Sequence, residues 1–334
     1  MRILLTGGAG YVGSACFRHF RRQGIEAFVL DDLSEGHAGA VEADRLDVAD
    51  IRDTDAVAAI LRRRGIDHVV HLAALISVPD SITDPAGYWS VNTAGSMSLL
   101  EAMRAEGVGR IVFSSTAAVY AHGFDRPIRE DDPIAPATPY GASKLAVEHL
   151  LEGYATGYGM AATALRYFNA AGADLDGRHG EAHRRESHAI PLVVEAALGN
   201  RAGFDVYGGE WDTPDGSCIR DFVSVIDLAD AHLRALKRAR PGVMARYNLG
   251  SGTGTSVREI LAAAEAVTGR PVPSQVKPAR PGDPARLIAD TTRARTELGW
   301  TPRHSDAQSL LSAAIAWHGS YGLDHYLGTR IAAE

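Results

Sequence analysis

Cysteine is nearly missing from this chain. Only Cys16 and Cys218 occur, far apart, which excludes a disulfide framework and the paired spacings of a cysteine zinc site. No apolar run approaches about 18 residues, so no membrane-spanning helix is expected. A strand expected from residue 2 leaves no space for a signal peptide ahead of it, and a cytoplasmic protein is expected. Positive charge is scarce too: 34 Lys and Arg face 41 Asp and Glu, a formal net charge of −7, with no basic tract. A nucleic-acid surface is therefore not expected. The short run Arg62-Arg63-Arg64 reads as a solvated helix end favourably placed on the dipole. The thirteen histidines show no metal-ligand clustering, and no metal is expected. Those between Asp176 and His188 are assigned to a long, solvated surface loop rich in Gly, His and Arg.

What is present is an ordinary globular composition, 46% hydrophobic and 22% charged over 334 residues, enough for two modest domains or one large one with a lobe. The apolar run Ile3-Leu4-Leu5 stops at Thr6-Gly7-Gly8, and Val12, Cys16, Phe17 and Phe20 then recur at helical spacing. A strand, a glycine turn and a helix open a βαβ unit, whose helix N-terminus suits a pyrophosphate. Gly7, Gly10 and Gly13 let the backbone turn, approach phosphates and pack helix on strand, although their G-x-x-G-x-x-G spacing differs from the G-x-G-x-x-G fingerprint. The next strand, Ala27 to Leu30, ends in Asp31-Asp32, where adenosine ribose hydroxyls would bind. A carboxylate there repels a 2′-phosphate, and Leu33-Ser34-Glu35 offers no arginine to receive one. NAD is favoured over NADP.

Strand-like and helix-like segments then alternate: Leu46-Asp47-Val48, a helix near Asp53 to Arg64, strand His68 to Leu72, a helix from about Tyr88 to Glu106, strand Arg110 to Ser115, a helix after Tyr140, and strand Ala164 to Tyr167. This alternation argues for an α/β doubly wound parallel sheet with ligands at the carboxyl ends of its strands. Beyond Asn169, helices at Pro191 to Leu198, Val225 to Arg238 and Val257 to Thr268 mix with short strands and proline-rich connections. The division expected is residues 1–169 for the NAD-binding domain and 170–334 mainly for a smaller substrate lobe, with a soft boundary that segments can cross.

The strand ending Ser114-Ser115-Thr116 delivers hydroxyls to the carboxyl edge of that sheet. Downstream, Tyr140 and Lys144 stand one helical turn apart on one face. A tyrosine with a pKa near 10 is a poor base at neutral pH. A neighbouring ammonium and an oxidised nicotinamide would favour its phenolate.

These residues carry a resemblance. T-G-G-A-G-Y-V-G (6–13), D-D-L-S (31–34), H-L-A-A (71–74), S-S-T-A-A-V-Y (114–120) and Y-G-A-S-K (140–144) resemble the extended short-chain dehydrogenase/reductase family. L-R-Y-F-N-A-A-G-A (165–173), H-A-I-P (188–191), Y-G-G-E-W-D-T-P-D-G-S-C-I-R-D-F-V (207–223) and A-R-P-G-D-P-A (279–285) narrow the resemblance to its UDP-glucose 4-epimerase family, across essentially the whole chain. The resemblance implies a Rossmann-type fold and a cycle in which Tyr140 takes the sugar 4-hydroxyl proton while hydride passes to NAD. A 4-keto sugar turns over and receives both back on its other face. Thr116 would bond the 4-oxygen, and Lys144 would bind the nicotinamide ribose and tune Tyr140.

The resemblance also implies cofactor contacts from Tyr11, Val12, Asp31, Asp32, Leu33, Ser34, Asp47, Val48, Leu72, Ala73, Ala74, Ser114 and Phe168. Asn92 reads equally as a cofactor contact or as a residue pinning neighbouring backbone. Ile76, where some relatives carry lysine, is placed outside the site. For the UDP-sugar, Arg220 and Arg280 would hold the diphosphate, Asn169 and His188 the sugar or diphosphate, Tyr207 the uracil and Asp283 the ribose. Leu287 would wall the sugar pocket, and Cys218 is a packing residue beside Arg220. A homodimer is expected, through helices near Asn92 to Met103 and Lys144 to Tyr158. Alternatives are an epimerase of UDP-N-acetylhexosamines or UDP-pentoses and, further off, a net-redox dehydrogenase. Ala117-Ala118 offers no acid/base pair for a 4,6-dehydratase, and the presence of Tyr140 and Lys144 argues against a non-catalytic NAD sensor.

Overall fold

Apolar runs bounded by glycine and polar turns become buried parallel strands. In the computed structural model, which describes residues 1–280 and 283–327, six of them follow in chain order: β1 (Arg2–Thr6), β2 (Glu26–Asp31), β3 (Leu46–Val48), β4 (His68–His71), β5 (Arg110–Thr116) and β6 (Ala161–Tyr167). Short strands β7 (Asn169–Ala171), β8 (Phe204–Tyr207), β9 (Ile219–Arg220) and β10 (Phe222–Ser224) follow, then β11 (Met244–Leu249). The main sheet runs β11-β6-β5-β4-β1-β2-β3, with every neighbouring pair parallel. Its outermost strand, β11, thus comes from beyond residue 169. The sheet is covered on both faces, as an all-parallel sheet requires.

The period-2 alternation of each strand divides its side chains between two cores. Ile3 and Leu5 face a layer made by Cys16, Phe17 and Phe20 of α1 (Tyr11–Arg22). Leu4 faces the opposite layer, built by α2 (Thr54–Arg64). That second layer continues past α3 (Val78–Thr83) and α4 (Pro85–Tyr88) to Leu99, Leu100 and Met103 of α5 (Gly95–Ala105) and to Val147 and Leu151 of α6 (Pro139–Tyr158). The lobe has its own core, centred on α7 (Ala189–Leu198) and joined by Phe204 and Phe222. The last helix of the first layer, α8 (Val225–Arg238), packs against α1.

Three expectations are corrected. The single helix expected from Tyr88 to Glu106 is interrupted by a π-helical turn, Trp89–Ala94, before α5 begins. The basic run is not merely solvated: Arg63 and Arg64 both pair with Asp47, and Arg62 pairs with Glu106. The segment from Asp174 to Ser187 is not a solvated loop either. Asp174 and Glu181 are buried, and Trp317 donates its indole N–H to the Glu181 carbonyl at 2.8 Å. Large apolar and ion-paired anchors hold this segment down, which its polar composition concealed.

A buried ion pair ties α6 to the sheet. Glu148 of α6 is fully buried and accepts hydrogen bonds from Ser115 at 2.6 Å, Arg166 at 2.6 and 2.9 Å, and Arg246 at 3.0 Å. Burial opposes its ionisation, yet these partners outweigh burial and hold the carboxyl below its ordinary 4.5. Such a group stabilises the fold above its unfolded pKa and loses that contribution as the pH falls through the native one. Glu148→Gln leaves the Arg166 guanidinium buried without its counter-charge and should cost about 3–5 kcal/mol in urea unfolding at pH 7. That difference from wild type should stay full above about pH 4.5 and narrow below it; a constant gap across the acid range would contradict the assignment.

Candidate active site

The carboxyl ends of β1, β2, β4, β5 and β6 open into a cavity of about 460 Å³, within the size range of ligand sites. Its glycine floor is backbone against backbone. Gly7 has φ of +69°, and a Cβ there would lie 2.5 Å from the Ala73 nitrogen. At Gly13 a Cβ would lie 2.2 Å from the Gly7 carbonyl oxygen. Only glycine permits this packing, and it leaves the N-terminus of α1 facing the cavity without a side-chain cap. At the end of β2, buried Asp31 accepts from the backbone N–H of Ala9 and of Leu33, both at 2.9 Å. Burial raises its pKa, against the lowering by those N–H groups. Leu33 adopts φ of +61°, so the chain turns sharply and presents Asp31, Asp32 and Ser34 to the cavity while Leu33 packs on the core behind.

At the other end of the cavity stand Thr116, Tyr140 and Lys144. Thr138 caps α6 by accepting from the Gly141 N–H at 3.3 Å, and this start places Tyr140 in the first turn. The Tyr140 hydroxyl is hydrogen-bonded with the Thr116 side chain. Burial raises the Tyr140 pKa, and the Thr116 bond lowers it less. Lys144 by itself does not make this phenol acidic: its buried ammonium is directed to the Ser114 carbonyl at 2.9 Å and over the Phe113 ring at 4.9 Å. Desolvation brings Lys144 itself down to about 7. A tyrosine that is neutral beside a half-charged lysine is a proton donor awaiting a further positive charge.

The residues expected at the cofactor divide plainly. Gly7, Gly10, Tyr11, Val12, Gly13, Asp31, Asp32, Ser34, Leu72, Ala73, Ala74, Ser114, Tyr140, Lys144 and Phe168 all line the cavity. Asp47 does not, being held by Arg63 and Arg64, and Val48 is 63% exposed on the outside. The cavity meets Ala49-Asp50-Ile51 instead, because β3 ends one residue before the chain turns inward. Ile76, placed outside the site by its sequence, lines it. Asn92 is buried behind the wall: its Oδ1 accepts from the Leu75 N–H at 2.8 Å, and its Nδ2 donates to the Leu75 carbonyl and to Ser143. Of its two readings, the structure displays the backbone pin.

Among the residues expected at the substrate, Thr116, Tyr140, Asn169, His188 and Arg220 line the cavity. The Asn169 Nδ2 is buried with no partner, an amide donor left for a ligand. Arg220 donates to the carbonyls of Ile219 and Pro284, both at 2.9 Å. Tyr207, Arg280 and Asp283 sit apart from the cavity, with the Arg280 guanidinium 3.7 Å from the Tyr207 ring centroid and the Asp283 N–H on the Arg280 carbonyl. Positions 281 and 282 of the expected closing segment lie outside the described residues. Leu287 packs with Phe168, Ala117 and Tyr120 beside the cavity.

Of one further wall, sequence reasoning found only His188. Glu181, His183 and His188 line the cavity beside Tyr11. With Glu186 they bring their ligand atoms within 4.8 Å of one another. Desolvation lowers the two imidazoles, but Glu181 and Glu186 outweigh it and carry His183 up to about 9 and His188 up to about 10. Burial pushes the Glu186 carboxyl up, yet these imidazoles and the His188 N–H leave it well below the usual range. The signal available was the spacing E-x-H-x-x-E-x-H itself, read past as polar loop.

Glycine turn, terminal aspartate on β2, Tyr140 against Thr116 and an orphaned amide together suit a dinucleotide and a second polar ligand. The profile of the NAD dependent epimerase/dehydratase family matches residues 3–250. The chain belongs to that family. A UDP-glucose 4-epimerase of Halalkalibacterium halodurans is 44% identical over 319 residues, covering 95% of this chain and 96% of that one. The crystal structure of UDP-glucose 4-epimerase from Brucella ovis in complex with NAD superposes with a TM-score of 0.91 at 40% identity, covering 94% of this chain and 97% of that one. That of the Bifidobacterium longum enzyme in complex with NAD+ and UDP gives 0.89 at 31% identity, covering 96% and 99%. The fold of this family member is thus the Rossmann-type sheet described above.

The pinning role of Asn92 has a measurable consequence. Asn92→Ala strands the Leu75 N–H and carbonyl and should lower the stability of the ligand-free protein by about 1–3 kcal/mol. A residue that only touched cofactor would leave the ligand-free unfolding curve unmoved.

Proposed function

We propose that this chain is an NAD-dependent isomerase, a UDP-glucose 4-epimerase that interconverts UDP-galactose and UDP-glucose through a transient 4-keto sugar. The observation that carries the reading is the Tyr140 hydroxyl, bonded to Thr116 at the edge of a dinucleotide-shaped cavity, with Lys144 one turn further along α6. The near full-length likeness to UDP-glucose 4-epimerases supports the choice of substrate.

Bound at the glycine turn with its ribose on Asp31, NAD supplies a hydride acceptor for the sugar carbon and a donor for its return. With the positive charges of Lys144 and of an oxidised nicotinamide beside it, Tyr140 would give up its own proton to solvent. Its phenolate oxygen would then take the sugar 4-hydroxyl proton and later give it back. The Thr116 hydroxyl fixes that oxygen and shares the bond to the 4-oxygen. Lys144 contributes positive charge that grows as its ammonium gains polar partners beyond the Ser114 carbonyl. Asn169 offers its unpartnered amide, and Arg220 its guanidinium, to the sugar diphosphate. Arg280 is assigned with Arg220 to the diphosphate, Tyr207 to the uracil, Asp283 to the ribose and Leu287 to the wall nearest the sugar. These assignments of substrate contacts rest on placement and resemblance together.

Supplied with UDP-galactose, the purified protein should form UDP-glucose without net NADH. Tyr140→Phe removes the proton-carrying oxygen and almost no volume, so it should lower kcat by at least about 10²-fold while NAD stays bound. Net accumulation of NADH in the wild type would instead indicate a dehydrogenase.

We also infer a cytoplasmic homodimer. Both described cysteines are free, and among the described residues no helix is long and apolar enough to cross a membrane. Trp89 before α5, Met97 on α5 and Tyr158 on α6 are exposed, and Tyr154 bonds Glu101 across these helices. Light scattering should give twice the 35.5 kDa chain mass, and Met97→Glu with Tyr158→Glu should halve it; a wild-type monomer would dismiss the interface.

A further inference from the structure

The Glu181, His183, Glu186 and His188 cluster is more than a pair of ion pairs. One ligand atom from each residue lies within 4.8 Å of the other three. The His183 Nδ1 lies 3.1 Å from a Glu181 oxygen and 3.4 Å from a Glu186 oxygen, and the His188 Nδ1 lies 2.5 Å from Glu181 and 3.4 Å from Glu186. Ligand atoms around a tetrahedral ion with bonds of about 2.0–2.1 Å are separated by about 3.3 Å. The contacts of 3.1 and 3.4 Å are close to such an edge, with Glu186 meeting His183 through Oε2 and His188 through Oε1. The 2.5 Å contact would open by less than an ångström. The His183 Nδ1 is buried yet forms no properly directed hydrogen bond. It is close to both carboxylates and aligned with neither, and a metal ion bound there would displace the imidazole proton.

We propose that these four side chains form a binding site for a first-row divalent metal ion, with zinc the best match. Two imidazole nitrogens exclude the all-oxygen preference of calcium and magnesium, and two carboxylates balance a 2+ charge. The supports are in place. Glu186 accepts from the backbone N–H groups of Ser187 and His188, both at 2.7 Å, and the Glu181 backbone is fixed by Trp317. Such outer partners orient ligating groups. His188 is half exposed, which gives the ion a way in. The ion would clip the 181–188 turn to the start of α7 as a structural element of the cavity wall. It takes no part in the Tyr140 proton transfer, and because His188 is also expected at the UDP-sugar, the test reads metal binding rather than activity.

The test uses zinc alone. The full-length protein, stripped with a chelator and desalted, is titrated with Zn²⁺ against a chromogenic competitor, and its bound metal is counted by mass spectrometry. Wild type should hold one zinc per chain and melt at a higher temperature when zinc is added. His183→Asn and the shape-preserving Glu186→Gln should each weaken binding by more than about tenfold, the least that loss of even an outer partner costs. No retained zinc and no zinc-dependent melting shift in wild type would overturn the site. So would equal affinity in wild type and both variants, which would move the ion elsewhere on the surface.

Discussion

The Glu148 carboxylate sets the register on which the catalytic geometry depends. It stands two turns after Tyr140 and one after Lys144 on α6, so all three share a helix face. Its partners come from three strands: Ser115 on β5, Arg166 on β6 and Arg246 on β11. Thr116 follows Ser115 directly. A carboxylate buried without its counter-charges would cost several kcal/mol, so α6 has one favourable position along the sheet. In that position the Tyr140 hydroxyl meets the Thr116 side chain. Asn92 complements this constraint from the other side, fixing Ser143 and the wall at Leu75 through one amide.

Desolvation then shapes the reactive groups differently at the two walls of the cavity. Around Tyr140 and Lys144 no carboxylate offsets burial, so the phenol stays protonated and the lysine falls to about 7. Lys144 is thereby brought near neutrality, while the Tyr140 phenol lies above its ordinary range until further positive charge favours its phenolate. His71 behind them is pushed down to about 3 by burial, with Lys144 adding to the effect. It remains a neutral link between Thr6 and Ser96. Across the cavity, the carboxylates of Glu181 and Glu186 reverse the balance and hold two imidazoles cationic. One wall is arranged to release charge and the other to keep it.

The ligand end of the sheet follows from parallel topology. Every strand of the main sheet points its carboxyl terminus the same way, so the turns after β1, β2, β4, β5 and β6 collect at one edge. Glycines at 7 and 13 are required there because backbone approaches backbone too closely for any Cβ. Asn169, on the strand that follows β6, receives its backbone anchor from the Asp221 carbonyl and keeps its side-chain amide free for a ligand.

The sequence alone determined what is local or strictly periodic. The parallel α/β sheet, the glycine turn, the Asp31 terminus and the Tyr140–Lys144 pair all depend on spacing within one or two elements, and apolar runs and glycine chemistry report such spacing directly. Tertiary structure decided what depends on the meeting of distant segments. Asp47 is paired with Arg63 and Arg64, which its own spacing did not announce, and Asn92 stayed ambiguous until Leu75 and Ser143 appeared beside it. Lys144 was expected to favour the Tyr140 phenolate together with an oxidised nicotinamide; how far each group is desolvated depends on everything packed around both, which no spacing encodes. The polar stretch from 174 to 188 reads as solvent-facing, since composition cannot show that Trp317 and α1 lie against it. Its two glutamates and two histidines come within reach of one another only where the fold closes the turn on itself.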